Sequence, residues 1–163
     1  MYNASIVANA LLQRGFKESR RDVTPMKVQK LVWFLNGWHL AITGEPSIIQ
    51  PFEAWQYGPV VSSIYHGLKK FGGSPVTDYI KEYDPATSTF TAYVPSSEDK
   101  KFAEILDLTW EKYIGIDAIG LSAMTHVPGS PWFVARQHGQ SNIDNTLIKN
   151  YFVGLARNPT AAA

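Results

Sequence analysis

The stretch TPMKVQKLVWFLNGWHLAITG, residues 24–44, decides the fold. Thr24 is a residue type that caps helix N-termini, and Pro25 is favoured at the first helical position. One side of the resulting helix carries a stripe at three- and four-residue spacing, made of Val28, Leu31, Val32, Leu35, His39 and Ile42. Further bulky side chains widen the apolar surface beyond that stripe, namely Trp33, Phe34 and Trp38. We therefore predict a central helix that is buried on most sides and ends at Gly44.

Gly37 stands in the middle of this predicted helix. A glycine there costs about 1 kcal/mol of helix propensity relative to alanine. We therefore expect another element to pack closely against the helix at this position.

Similar start and stop signals predict helices on both sides of the central one. They are a first helix from Asn3 to Gly15, a third beginning at Pro59, a fourth beginning near Ser96–Asp99, short helices after Asp117 and Ser130, and a last helix from about 145 to 155. The segments DYIKEYD and TFTAYV, separated by PATS, are typical of a β-hairpin. The sequence thus predicts a mainly α fold, a compact bundle of about six or seven helices with one small hairpin at residues 77–95. We expect a single domain over residues 1–157 and a disordered tail at 158–163.

The bulk composition limits the possible partners. The 163 residues carry a net charge of +1, so the chain as a whole is not built to attract nucleic acid or membrane. It contains no cysteine, which excludes disulfides and thiolate metal sites. No apolar run approaches the roughly 20 residues of a membrane-spanning helix, and the N-terminus makes a poor signal peptide. We expect a cytoplasmic protein with no membrane partner.

Motifs for catalysis are missing from the sequence. The four histidines show no HExxH spacing, and there is no G-x-S-x-G elbow, P-loop or dinucleotide fingerprint. We therefore predict no enzyme, no metal and no cofactor. An enzyme that draws on His39, Glu53, His66 and His126 stays open as an alternative, because these groups lie in or near aromatic-rich segments.

A basic stretch runs from Arg14 to Lys30, with six basic side chains against two acids. Such a patch can bind phosphate or an acidic protein surface. A nucleic-acid binder using this stretch is a second alternative, but the aromatic residues that single-strand binders interleave with basic ones are absent from the loop.

The segment PFEAWQYGPVV, residues 51–61, places Trp55 and Tyr57 at a chain break made by Gly58 and Pro59. We expect this turn to be irregular or briefly extended and to pack on the central helix, burying Trp55. Aromatic and basic residues nearby are then candidates for an exposed recognition surface, since such residues dominate interface energetics. The candidate binding residues are Arg20, Arg21, Lys27, Lys30, Tyr57 and Tyr65.

Three blocks of the sequence resemble the Panacea domain of SocA-type antitoxins and of phage-associated GepA-like proteins. The blocks are MKVQKLVWFLNGWHLAITG, FEAWQYGPVVSSIYHGLKKFG and LSAMTHVPGSPW, in the order found in the family. The signature positions that we take to be mainly structural are Gln29, Gly37, Trp38, His39, Phe52, Glu53, Trp55, Gly58, Pro59, Thr125, His126, Ser130, Pro131 and Trp132.

The resemblance implies an antitoxin without catalytic activity, which neutralises a toxin encoded by a neighbouring gene through direct protein–protein binding. It also implies an alternative, an adaptor that delivers the toxin to a ClpXP-type protease. The hairpin and the last helix look less like the family, so they are further candidates for partner specificity.

Overall fold

The computed structural model describes residues 1–158; the greater part of the predicted tail lies outside this range. The described chain contains seven α-helices, α1 (Ala4–Lys17), α2 (Pro25–Thr43), α3 (Ser62–Leu68), α4 (Lys100–Tyr113), α5 (Ala118–Thr125), α6 (Pro131–Gln137) and α7 (Asn145–Arg157). Its strands are β1 (Phe52–Trp55), β2 (Gly58–Val60), β3 (Glu82–Asp84), β4 (Thr89–Thr91) and β5 (Asn142–Ile143). The fold is mainly α, as predicted.

Helix α2 is the centre of the fold. The Thr24 side chain accepts a hydrogen bond from the Lys27 backbone N–H, and Gly44 ends the helix in a left-handed conformation with a φ of 85°. Twelve of the nineteen residues of α2 are buried, and helices α1, α4, α5 and α7 pack around it. Both the position and the burial of this helix are confirmed.

Gly37 lies where α7 crosses α2. A Cβ atom built on Gly37 would lie only 2.2 Å from the ring of Phe152. The close packing that the sequence predicts at this glycine is therefore present, because the Phe152 ring occupies the space that any side chain would need.

The prediction of one β-hairpin is only partly correct. Strands β3 and β4 form a hairpin within residues 77–95 as predicted, but β1 also pairs antiparallel with both β2 and β5. Gly58 makes the tight β1–β2 connection possible with a φ of 104°. Pro59 consequently belongs to a strand, and the third helix begins at Ser62 instead.

The first helix passes through Gly15 and ends at Lys17, so the predicted stop at Gly15 is wrong. Gly15 is buried, and a Cβ atom on it would lie 3.2 Å from the Val23 side chain and 3.7 Å from Trp110. This glycine therefore allows close packing inside the helix and does not end it.

None of the helices within residues 1–158 combines the length and the apolar character needed to cross a bilayer.

Candidate functional site

An apolar groove of about 370 Å³ lies between the β1–β2 turn and helices α2 and α3. We call it the aromatic groove. It is lined by Pro25, Met26, Gln29, Lys30, Trp55, Gln56, Tyr57, Val60, Ile64, Tyr65 and Gly72. Its volume falls at the small end of the roughly 300–1,000 Å³ that is typical of ligand pockets.

The β1–β2 turn is held in place by side chains from the third sequence block. The Trp132 indole N–H donates to the Trp55 carbonyl at 2.8 Å, and the Ser122 hydroxyl donates to the Tyr57 carbonyl at 2.9 Å. The His126 ring packs on Trp132 with their centroids 3.9 Å apart. The turn is therefore a fixed wall of the groove. These contacts join signature positions of the second and third sequence blocks, which are far apart along the chain.

Gln29 joins the central helix to the other end of strand β2. Its amide donates to the Val61 carbonyl and accepts from the Val61 N–H, both at 3.0 Å. Because the side chain is buried and satisfied on both sides, it fixes the distance between α2 and the turn.

The tyrosines at the groove edge are exposed, as the sequence predicts. Tyr57 is 68% exposed and Tyr65 is 43% exposed. Trp55 is only half-buried, contrary to the expectation that it is buried, because its ring lines the open groove, with its centroid 5.0 Å from that of Tyr65. Its indole N–H donates to the Glu53 carboxylate at 2.7 Å, so Glu53 orients this wall.

The expectation that Lys27 and Lys30 stay exposed is wrong, since each side chain is only 1% exposed. Lys27 donates to the Asp22 carboxylate at 2.7 Å and to the Ile114 carbonyl at 2.8 Å. Arg20, which binds the same carboxylate, and Lys27 together hold the pKa of Asp22 well below its usual range. Lys27 is thus a buried ion-pair partner of Asp22.

Lys30 has a different environment. Its ammonium donates to the Pro59 carbonyl at 3.2 Å, and no carboxylate within residues 1–158 lies within ion-pair distance. Burial lowers the pKa of Lys30 to about 7, because the charged form loses its hydration. Lys30 is therefore a buried lysine without a counter-ion in the groove wall, and at pH 7 it is charged only in part. The sequence alone assigns Lys30 to a basic patch, and no pattern in the sequence indicates that the side chain is buried.

The remaining candidate binding residues, Arg20 and Arg21, lie away from the aromatic groove. They line a shallow cleft with Phe16 and residues 74–77. Arg20 is also paired with Asp22 at 2.8 Å, whereas Arg21 is exposed. The structure thus brings together Lys30, Tyr57 and Tyr65 out of the six predicted residues.

The four groups of the enzyme alternative do not form a cluster. His39 bonds the Glu45 carbonyl at 2.7 Å, His126 bonds the Ser122 carbonyl at 2.6 Å, and His66 packs beside Tyr65. Among the described residues no hydrogen bond joins any two of the four, and no group of three or more histidine or acidic side chains could hold a metal ion. The arrangement gives this alternative no support.

Tyrosine, the residue type at the exposed rim of the groove, is enriched at protein interfaces. The profile of the family described as antitoxin SocA-like, Panacea domain, matches residues 28–133, and the chain belongs to that family. The antitoxin SocA of Caulobacter vibrioides (strain NA1000 / CB15N) is 27% identical over 143 residues, which cover 86% of this chain and 74% of that protein. No solved structure matches. The match confirms the family suggested by the three blocks, and the aromatic groove is made almost wholly from the matched region.

Proposed function

We propose that the protein is an antitoxin that neutralises a toxin, encoded by a neighbouring gene, by direct binding through the aromatic groove and its rim. Membership of the family supports the antitoxin role. The observation that favours this surface is the exposed pair Tyr57 and Tyr65 at the edge of a preformed groove. Tyrosine is among the residues that contribute most to binding energy at protein interfaces.

The rigidity of the turn supports the same proposal. Trp132, Ser122 and Gln29 hold its backbone before any partner arrives. A surface that is already ordered loses little conformational entropy on binding, so more of the contact energy remains as affinity.

The basic stretch gives less support to nucleic-acid binding than its composition suggests. Lys27 and Lys30 are buried, Arg14 pairs with Asp107, and Arg20 pairs with an aspartate. Few charges of the stretch are therefore free to neutralise phosphates, which is the main source of such binding.

Co-expression tests the proposal. Each adjacent gene is induced alone and together with this protein, and growth is measured. We expect one adjacent product to arrest growth alone, to be harmless with this protein, and to copurify with it. An immunoblot of the toxin in cells with and without ClpXP separates the two mechanisms. Sequestration leaves the toxin level unchanged, whereas delivery to the protease lowers the toxin level only when ClpXP is present. The proposal fails if no adjacent product is both toxic and rescued.

A further inference from the structure

Two lysines one turn apart on α2 differ in one respect. Lys27 and Lys30 are equally buried, but only Lys27 has a counter-ion, Asp22. The Lys30 ammonium has three donor hydrogens and one acceptor within the described residues, the Pro59 carbonyl. Lys30 is also the single charged residue among those that line the aromatic groove.

An unpaired buried charge is unfavourable, since the ammonium has lost water and gained no anion in return. A methionine at this position would fill similar space without that cost. Ionisable groups in clefts whose pKa is strongly shifted are enriched at functional sites. The missing counter-ion therefore indicates that the groove binds an anionic group of another molecule.

We infer that the groove binds an acidic, apolar segment of the toxin, in which a carboxylate pairs with the Lys30 ammonium and an adjacent large apolar side chain packs against Met26, Ile64 and Tyr65. This inference rests on the proposed antitoxin function. The groove offers no acidic lining residue to repel the carboxylate. A charge-assisted hydrogen bond would satisfy a donor that is now without an acceptor, and such bonds are roughly twice as strong as neutral ones.

The occupant is a protein segment and not a free small acid because of the rim. Tyr57 and Tyr65 line the groove but are 68% and 43% exposed, so an occupant confined to about 370 Å³ leaves part of each side chain in contact with water. A chain that continues past its anchoring side chain covers both rings. The carboxylate is then supplied by an aspartate, a glutamate or the C-terminus of the toxin.

A pair of small probes tests the charge requirement on the isolated protein. 3-Phenylpropionate and its amide, 3-phenylpropanamide, have the same shape but differ in charge. We expect titration followed by NMR to show the acid binding at least about tenfold more tightly than the amide. Lys30→Met should abolish this preference, and Lys100→Met should retain it, because Lys100 is exposed and does not line the groove. Equal binding of the acid and the amide to the unmodified protein would overturn the inference.

The toxin assay of the proposed function gives the second test. Lys30→Met should fold normally, which circular dichroism checks, and should bind the toxin at least about tenfold more weakly than the unmodified protein and Lys100→Met. If the unmodified protein neutralises a toxin and Lys30→Met does so with equal affinity, the inference is overturned and the antitoxin function stands. If the unmodified protein neutralises none, the proposed function fails, and a preference for the probe acid then assigns a small-molecule site instead of a toxin segment.

Discussion

Lys30 couples the stability of the protein to pH. The folded pKa of about 7 lies below the ordinary value of 10.5, so between these values the unfolded chain binds more protons than the folded one. The free energy of unfolding therefore rises with pH across this window, by about 1 kcal/mol per pH unit from this residue, and below pH 7 the full penalty of the buried charge applies.

We predict that Lys30→Met is more stable than the unmodified protein at pH 7 and that this advantage shrinks as the pH rises toward 10. Urea unfolding at pH 6, 7, 8 and 9 measures the difference. Lys100→Met serves as the control, with a difference that stays the same across the series. Parallel curves for Lys30→Met and the unmodified protein would contradict the prediction.

Two glycines in helices should respond to alanine in opposite directions. At Gly37 the new methyl group would collide with Phe152, so we expect Gly37→Ala to destabilise the protein by about 1–3 kcal/mol. Gly154 in α7 is exposed with nothing within 4 Å of a built Cβ, so Gly154→Ala should stabilise by up to about 1 kcal/mol through helix propensity. Chemical unfolding of both variants checks this; a shift in the same direction for both would show that propensity and not packing decides the effect at Gly37.

At the scale of single elements, Ser130 joins two helices. Its hydroxyl accepts from the Phe133 N–H at the start of α6 and donates to the Thr125 carbonyl at 2.7 Å at the end of α5. We predict that Ser130→Ala lowers the free energy of unfolding by about 1–2 kcal/mol, because it removes a cap and leaves a buried carbonyl without its donor. Ser63→Ala, on the exposed face of α3, should change it by less than about 0.5 kcal/mol. Equal effects in thermal or urea unfolding would be evidence against this role of Ser130.

The helix starts were predictable because their signals are local. Thr24, Asp117 and Ser130 each accept a hydrogen bond from the backbone N–H three residues further on, as their positions in the sequence suggest. The segment that contains β1 and β2 was expected to be irregular or briefly extended, but the three-stranded sheet with β5 was missed because its pairing depends on distant partners, such as Phe52 with Ile143. A short strand carries little pattern of its own, and its stability comes from neighbours that the local sequence does not reveal.

The exposed rim of the aromatic groove was predictable from the sequence, whereas the buried lysine in its wall was not. Exposure of Tyr57 follows from its place beside a glycine–proline turn. Burial of Lys30 does not follow from its residue type, since lysine is almost never fully buried without a partner. It becomes visible only when the turn lies across α2, with the Pro59 carbonyl above the ammonium.

For the whole molecule, the matched region and the surrounding helices have different roles. Residues 28–133 include Lys30 and the tyrosine rim, whereas α1 and α7 lie outside the match and pack on α2. Helix α7 supplies Phe152, whose ring packs against Trp33, Phe34 and Trp38 of α2. Helices α1 and α7 therefore stabilise the central helix but contribute no residue to the lining of the groove.

Substitutions of two tyrosines with similar exposure can show which surface binds the partner. Tyr57 is 68% exposed at the aromatic groove, and Tyr83 is 56% exposed on the β3–β4 hairpin, the other candidate for partner specificity. We predict that Tyr57→Ala weakens binding to the neutralised toxin by about tenfold or more with an unchanged melting temperature, since an aromatic side chain that becomes buried at an interface contributes more than about 1 kcal/mol. Tyr83→Ala should bind as the unmodified protein does. The opposite result, measured by calorimetry on the purified pair, would move the interface to the hairpin, and the charge of Lys30 would then need an occupant other than the toxin.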